Sequence, residues 1–99
     1  MKKLIIANWK MNPDSPKEAA VLAKKIDAAA RRAKHADVVI APPFPFLESV
    51  RHQISRVALG AQDVFWEPNG AYTGEVSSVM LKSMGVEYVL VGHSERRAL

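Results

Sequence analysis

An α/β domain built on a parallel sheet is the fold class this sequence predicts. Four short apolar runs, residues 4–7, 38–41, 57–61 and 88–91, are too short for helices and read as strands. Stretches of helical periodicity separate them. The runs are continuous rather than alternating, which fits strands buried on both faces of a sheet. The order is βαβαβαβ, followed by the start of a fourth helix, and it implies right-handed crossovers with helices covering the sheet.

Each element has its own signal. "LIIA" opens the chain as the first strand. In "SPKEAAVLAKKIDAAARRA", Ser15 is the expected N-cap, Pro16 the first helical residue and Glu18 the capping-box acid. Ala19, Leu22, Ala23, Ile26, Ala30 and Ala33 then line one face. "VVIA" is the second strand, and "FPFLESVRHQI" a second helix with Phe46, Leu47, Val50 and Ile54 on its stripe. "VALGA" is the third strand. The longest irregular segment follows, residues 63–74, "DVFWEPNGAYTG", long enough to be a functional loop. "EVSSVMLKSMG" is a third helix with Val76, Val79, Met80 and Met84 inward and Gly85 as its C-terminal cap. "YVLV" is the fourth strand, and Ser94 is the expected cap of the next helix, with Glu95 in its first turn.

Composition narrows the function. Ninety-nine residues make one domain, 1–99, with a modest core. The absence of cysteine removes disulfides, thiol nucleophiles and thiolate metal sites, and fits a reducing cytoplasm. No apolar run approaches the length of a membrane span, and the one after Lys2 and Lys3 is too short for a signal peptide. A cytoplasmic location and no membrane partner are expected. The net charge of +4 is dispersed among acids without interleaved aromatics, so nucleic acid is not expected as a partner. His35, His52 and His93 share no metal-ligand spacing, and no metal or cofactor is expected.

The chemistry gathers at the strand ends. Alternation along "IANWKMN" directs Asn8 and Lys10 to one side and Trp9 to the other. An amide and an ammonium at a strand's C-terminal end suit an anionic, oxygen-rich ligand such as a sugar phosphate. The alternative is a lysine simply leaving the strand for solvent. His93 ends the fourth strand after Gly92, at a helix start where free N–H groups and the dipole disfavour a positive imidazole. There it either donates to a carbonyl oxygen as charge builds or is a hydrogen-bonded structural residue. Glu95 is either a catalytic carboxylate or, the favoured reading, a helix-start acid that pairs with Lys10 or an arginine. Dinucleotide, P-loop and serine-hydrolase signatures are absent.

Five segments, "ANWKMN", "APPFPFL", "GAQDV", "GAYTGEVS" and "VGHSERR", resemble triosephosphate isomerase in that family's order and spacing. The resemblance implies a (β/α)8 barrel, typically about 250 residues, of which this chain would be a partial, half-barrel portion with four strands. It implies interconversion of dihydroxyacetone phosphate and glyceraldehyde 3-phosphate through an enediolate. The family is a standard case of pKa tuning, with a glutamate base, a neutral histidine electrophile and a closing loop. By motif, His93 would be the electrophile, Lys10 would neutralise substrate charge and Asn8 would help to place the substrate. Glu95 would organise the site, and Thr73 and Glu75 would belong to a loop inserted into a neighbouring subunit. The family's catalytic glutamate, lid and phosphate-binding loops lie on later strands, so the chain alone is expected to be inactive.

A half-barrel has two unpaired edges and a bare inner face. A complementary C-terminal half or identical copies in a homo-oligomer would cover them. The triose phosphate is the expected substrate once the barrel is completed. The remaining alternatives are a non-catalytic, self-assembling half-barrel and a basic phosphosugar-binding module.

Overall fold

The first strand forms where β-branched Ile5 and Ile6 follow Lys3 and Leu4, and it ends where Lys10 takes a left-handed backbone, φ +56°. A computed structural model describes residues 2–97 of the chain. The strands are β1 (Lys3–Asn8), β2 (Ala36–Ala41), β3 (Ala58–Ala61) and β4 (Tyr88–Val89). The helices are α1 (Pro16–Ala30), α2 (Leu47–Arg51), α3 (Ser78–Ser83) and α4 (Ser94–Arg97), with a 3-10 turn at Phe44–Phe46. All neighbours pair in parallel, in the spatial order β1-β2-β3-β4. The fold is therefore the expected half-barrel. Its fourth helix was expected to run on into Ala98 and Leu99, which lie outside the described residues.

Register fixes the two faces. Ile5 opposes Val38, Ala7 opposes Ile40, and Ile40 opposes Leu59. Ala7, Val38, Ile40 and Leu59, with Trp9, Ala61 and Val89, belong to the core beneath the helices, while Ile5 on the edge strand is 49% exposed. The opposite parity, Leu4, Ile6 and Asn8 on β1 and Tyr88 on β4, forms the inner face. Continuous apolar runs by themselves fit burial on both faces, but a half-barrel leaves the inner one bare, and Leu4 is 52%, Ile6 40% and Tyr88 37% exposed. Nothing among the described residues lies over them, because the helices cover one side of the sheet only. In the middle of that face Val39 and Ala41 are buried. Gly60 permits this: a Cβ there would stand 2.9 Å from Val39 Cγ1.

Helix α1 starts as expected. Ser15 Oγ accepts the Glu18 N–H at 3.2 Å, with Pro16 at the first position. Glu18 reaches back to the N–H of Asp14, not Ser15, so the reciprocal box closes one residue early. Ala19, Ala23 and Ala30 are buried, but Leu22 is exposed and Asp27 is buried in its place. Oδ1 of Asp27 accepts the backbone N–H groups of Ser55, Arg56 and Val57 at 3.0, 2.8 and 2.9 Å. One carboxylate thereby joins α1 to the turn that enters β3. Burial pushes the Asp27 carboxyl up, but the hydrogen bonds from Val57, Arg56 and Ser55 together outweigh it and hold the group below the ordinary aspartate value.

The second and third helices are shorter than their patterns suggested. Residues 44–46, which follow Pro43 and include Pro45, form a 3-10 turn in which the Phe46 N–H donates to the Pro43 carbonyl at 3.0 Å. Leu47 and Val50 still face the core. In α3 the cap is Ser77, whose Oγ accepts the Met80 N–H at 3.2 Å. That start sets the phase, so that Leu81 is buried while Val79 is 61% exposed and Met80 also faces outward. The expected stripe holds at Val76 and Met84, which pack against the core, and fails at Val79 and Met80.

Candidate functional site

The polar residues at the strand ends converge because the sheet curls. In a flat sheet β1 and β4 would stand about 14 Å apart, three strand spacings of about 4.8 Å. Here Lys10 Nζ, just past β1, lies 2.5 Å from Glu95 Oε1, just past β4. The Lys10 ammonium bonded to it attracts its negative charge most strongly, and Glu95's own backbone N–H adds to this. Together they hold the Glu95 carboxyl below the ordinary glutamate value. Glu95 thus makes the pairing with Lys10 that the sequence offered as one of its alternatives.

The parity expected for residues 8–10 is present, though by another backbone route. Trp9 is buried, and Asn8 and Lys10 are exposed on the other side. Regular strand geometry stops at Asn8, and Lys10 is the one non-glycine residue of positive φ among those described. Such a backbone costs roughly 1–2 kcal/mol for a residue bearing a Cβ. Its polar groups are secured by side chains. Asn8 Oδ1 accepts the Lys10 N–H at 2.8 Å, and Gln62 Nε2 donates to the Lys10 carbonyl at 2.7 Å. With its oxygen engaged, Asn8 has its Nδ2 group left to donate.

His93 stands between β4 and α4. The Arg97 N–H donates to its carbonyl at 3.1 Å, so His93 and not Ser94 holds the N-cap position. Ser94 is the first helical residue, and its hydroxyl contacts Glu95 Oε2 at 3.5 Å. Gly92, at φ +75°, turns the chain from strand to helix and ends β4 two residues earlier than the apolar run suggested. His93 Nε2 is buried and makes no hydrogen bond to protein. An unpaired buried ring nitrogen is costly unless function uses it.

The loop that carries Thr73 and Glu75 is folded on itself rather than onto Lys10 and His93. The rings of Phe65 and Tyr72 stand 4.6 Å apart, and the Phe65 N–H donates to the Val76 carbonyl at 2.7 Å. Thr73 is exposed at a turn. Glu75 lines a depression of about 110 Å³ with Asp63 and Arg96, which are themselves 3.7 Å apart. His35 is exposed, and His52 contacts Glu48 at 2.9 Å. Among the described residues no group of three or more His, Asp or Glu is arranged to hold a metal ion, and no helix is long and apolar enough to cross a membrane.

Gln62, within "GAQDV", carries no motif signal of its own. The parity of β3 contained the signal. Gln62 lies two residues beyond Gly60 on the inner face, as Asn8 lies two beyond Ile6.

Asn8 and Lys10 are exposed, Lys10 against Glu95, and can donate hydrogen bonds to an anionic oxygen compound at the open strand ends, while Nε2 of His93, close to Glu95 in sequence, lies buried. Residues 3–99 match the family model described as triosephosphate isomerase. The triosephosphate isomerase of Thermoanaerobacter pseudethanolicus is 51% identical over 98% of this chain and 40% of its own length. That of Carboxydothermus hydrogenoformans is 46% identical over 98% of this chain and 39% of its own length. That of Halorhodospira halophila is 46% identical over 99% of this chain and 38% of its own length. The chain thus spans about 40% of the curated relatives it matches.

Proposed function

Because the chain belongs to the triosephosphate isomerase family, we propose that it supplies part of the active site of an enzyme that interconverts dihydroxyacetone phosphate and D-glyceraldehyde 3-phosphate. The setting would be glycolysis and gluconeogenesis in the cytoplasm. The observation that carries this reading is the Lys10–Glu95 contact across the strand ends, with the unpaired His93 Nε2 on the connection from β4 to α4.

The reaction moves a proton between adjacent carbons through an enediolate, and negative charge builds on the carbonyl oxygen. His93 donates from Nε2 to that oxygen. Lys10 offsets the charge of the phosphorylated substrate, and Asn8 Nδ2 donates to a substrate oxygen. Glu95 is an organiser: paired with Lys10, it fixes the ammonium and does not abstract the proton. The base belongs to the part of the relatives' length that this chain does not span. Its loss alone costs about 10²–10⁴-fold in rate, so the chain by itself is inactive. Strands from that part would also cover Leu4, Ile6 and Tyr88, while Thr73 and Glu75 would face a second subunit.

Isomerase assays test this reading. The chain alone should show no activity, and mixing it with a fragment that carries the remaining strands of a relative should restore activity. His93→Gln should abolish the restored rate. Activity in the chain alone, or tight association without activity, would overturn the proposal.

A further inference from the structure

We infer that Gln62 is a positioning residue, whose side-chain amide holds the left-handed backbone of Lys10 and so sets where the ammonium stands. Gln62 follows the last residue of β3. Its Nε2 donates to the Lys10 carbonyl at 2.7 Å and to the Ala41 carbonyl at 2.9 Å. Both partners are acceptors, so the orientation of the amide is fixed, and both of its N–H bonds are used. The Ala41 carbonyl also accepts the Trp9 N–H at 3.1 Å. One side chain therefore joins the ends of β1, β2 and β3.

The consequence lies at Lys10. Asn8 holds its N–H and Gln62 holds its carbonyl, so two side-chain amides secure a conformation that a residue with a Cβ otherwise avoids. Without the Gln62 donor the backbone of Lys10 relaxes toward negative φ. The direction of its side chain then changes, and the ammonium leaves Glu95. A 52-residue separation along the chain makes this a tertiary device and not a local turn.

The role in catalysis rests on the isomerase reading above; the geometric role does not, and two measurements separate them. The first uses the 99-residue chain and follows the Glu95 carboxyl by NMR as pH is varied. Gln62→Met removes the donor at similar length and should raise the Glu95 midpoint toward that of Lys10→Met. Adding Gln62→Met to Lys10→Met should then change the midpoint no further. A merely structural role would lower the melting temperature and leave the midpoint in place, which would overturn the inference. If Gln62→Met does not fold, Gln62→Asn, which keeps the donor but shortens its reach, serves in its stead with a smaller shift in the same direction, and no shift overturns it equally. The second measurement is kcat and KM of the barrel completed with the remaining strands. Gln62→Met should lose up to about 10²-fold in kcat/KM, the size expected for a misplaced catalytic group, with little further loss on a Lys10→Met background. An unchanged kcat/KM would overturn the catalytic part. If the unsubstituted completed barrel is inactive, the isomerase reading fails while the titration still decides the positioning role.

Discussion

Lys10 and Glu95 form an ion pair that joins the end of the first strand to the helix after the fourth. The pair links the two edge strands of a curled sheet, and it brings together residues from opposite ends of the sequence.

The first prediction concerns that pair. Lys10→Met removes the leading cause of the low Glu95 pKa, so the Glu95 titration midpoint should rise toward the ordinary glutamate value. The depressed pKa means that the pair's contribution is present above the unfolded value and fades as pH falls through the folded one. Carboxyl NMR on both proteins checks this, and equal midpoints would show that the pair does not form in solution.

Asp27 gives a prediction about stability. Asp27→Ala strands three backbone N–H groups at the entrance to β3 and should destabilise the chain by about 3 kcal/mol. With a folded pKa below the ordinary aspartate value, Asp27 stabilises fully above that value. Its contribution is lost as pH falls through the folded pKa. Urea titrations at pH 7 and pH 3 should find a smaller drop for Asp27→Asn than for the unsubstituted chain.

The phase of α3 can be read by paired substitutions. Leu81→Ala, at a buried position, should cost about 2–5 kcal/mol. Val79→Ala, on the exposed side, should stay within about 0.5 kcal/mol. Equal costs in thermal melts would contradict the position of Ser77 as the cap.

Association follows from the bare inner face. The chain alone should self-associate at micromolar concentration, because Leu4, Ile6 and Tyr88 are exposed beside two open strand edges. Ile6→Lys should shift it toward monomer in sedimentation experiments. A monomeric unsubstituted chain would contradict this expectation.

The order of strands and helices was legible because apolar period, Pro16 and Ser15 act over a few residues each. The assignment of Asn8, Lys10 and His93 to one end of the sheet followed from strand parity and from the end of the fourth apolar run, which are also local. A continuous apolar run does not reveal whether anything lies over its second face; the bare inner face followed only from the partial barrel that the family resemblance implied. Leu81 was missed for a related reason: the apolar residues of "EVSSVMLKSMG" fit more than one helical phase, and only the Ser77 cap selects between them.

By itself, then, the sequence determined the alternating parallel fold and which chemical groups lie near the strand ends. The tertiary structure decided how those groups are held. Gln62 and Lys10 are 52 residues apart and Asp27 and Val57 are 30, and no spacing rule links such pairs. Their contacts exist because parallel pairing curls the sheet and brings the strand ends together, where an amide or a carboxylate can satisfy backbone groups that the strands and helices leave unpaired.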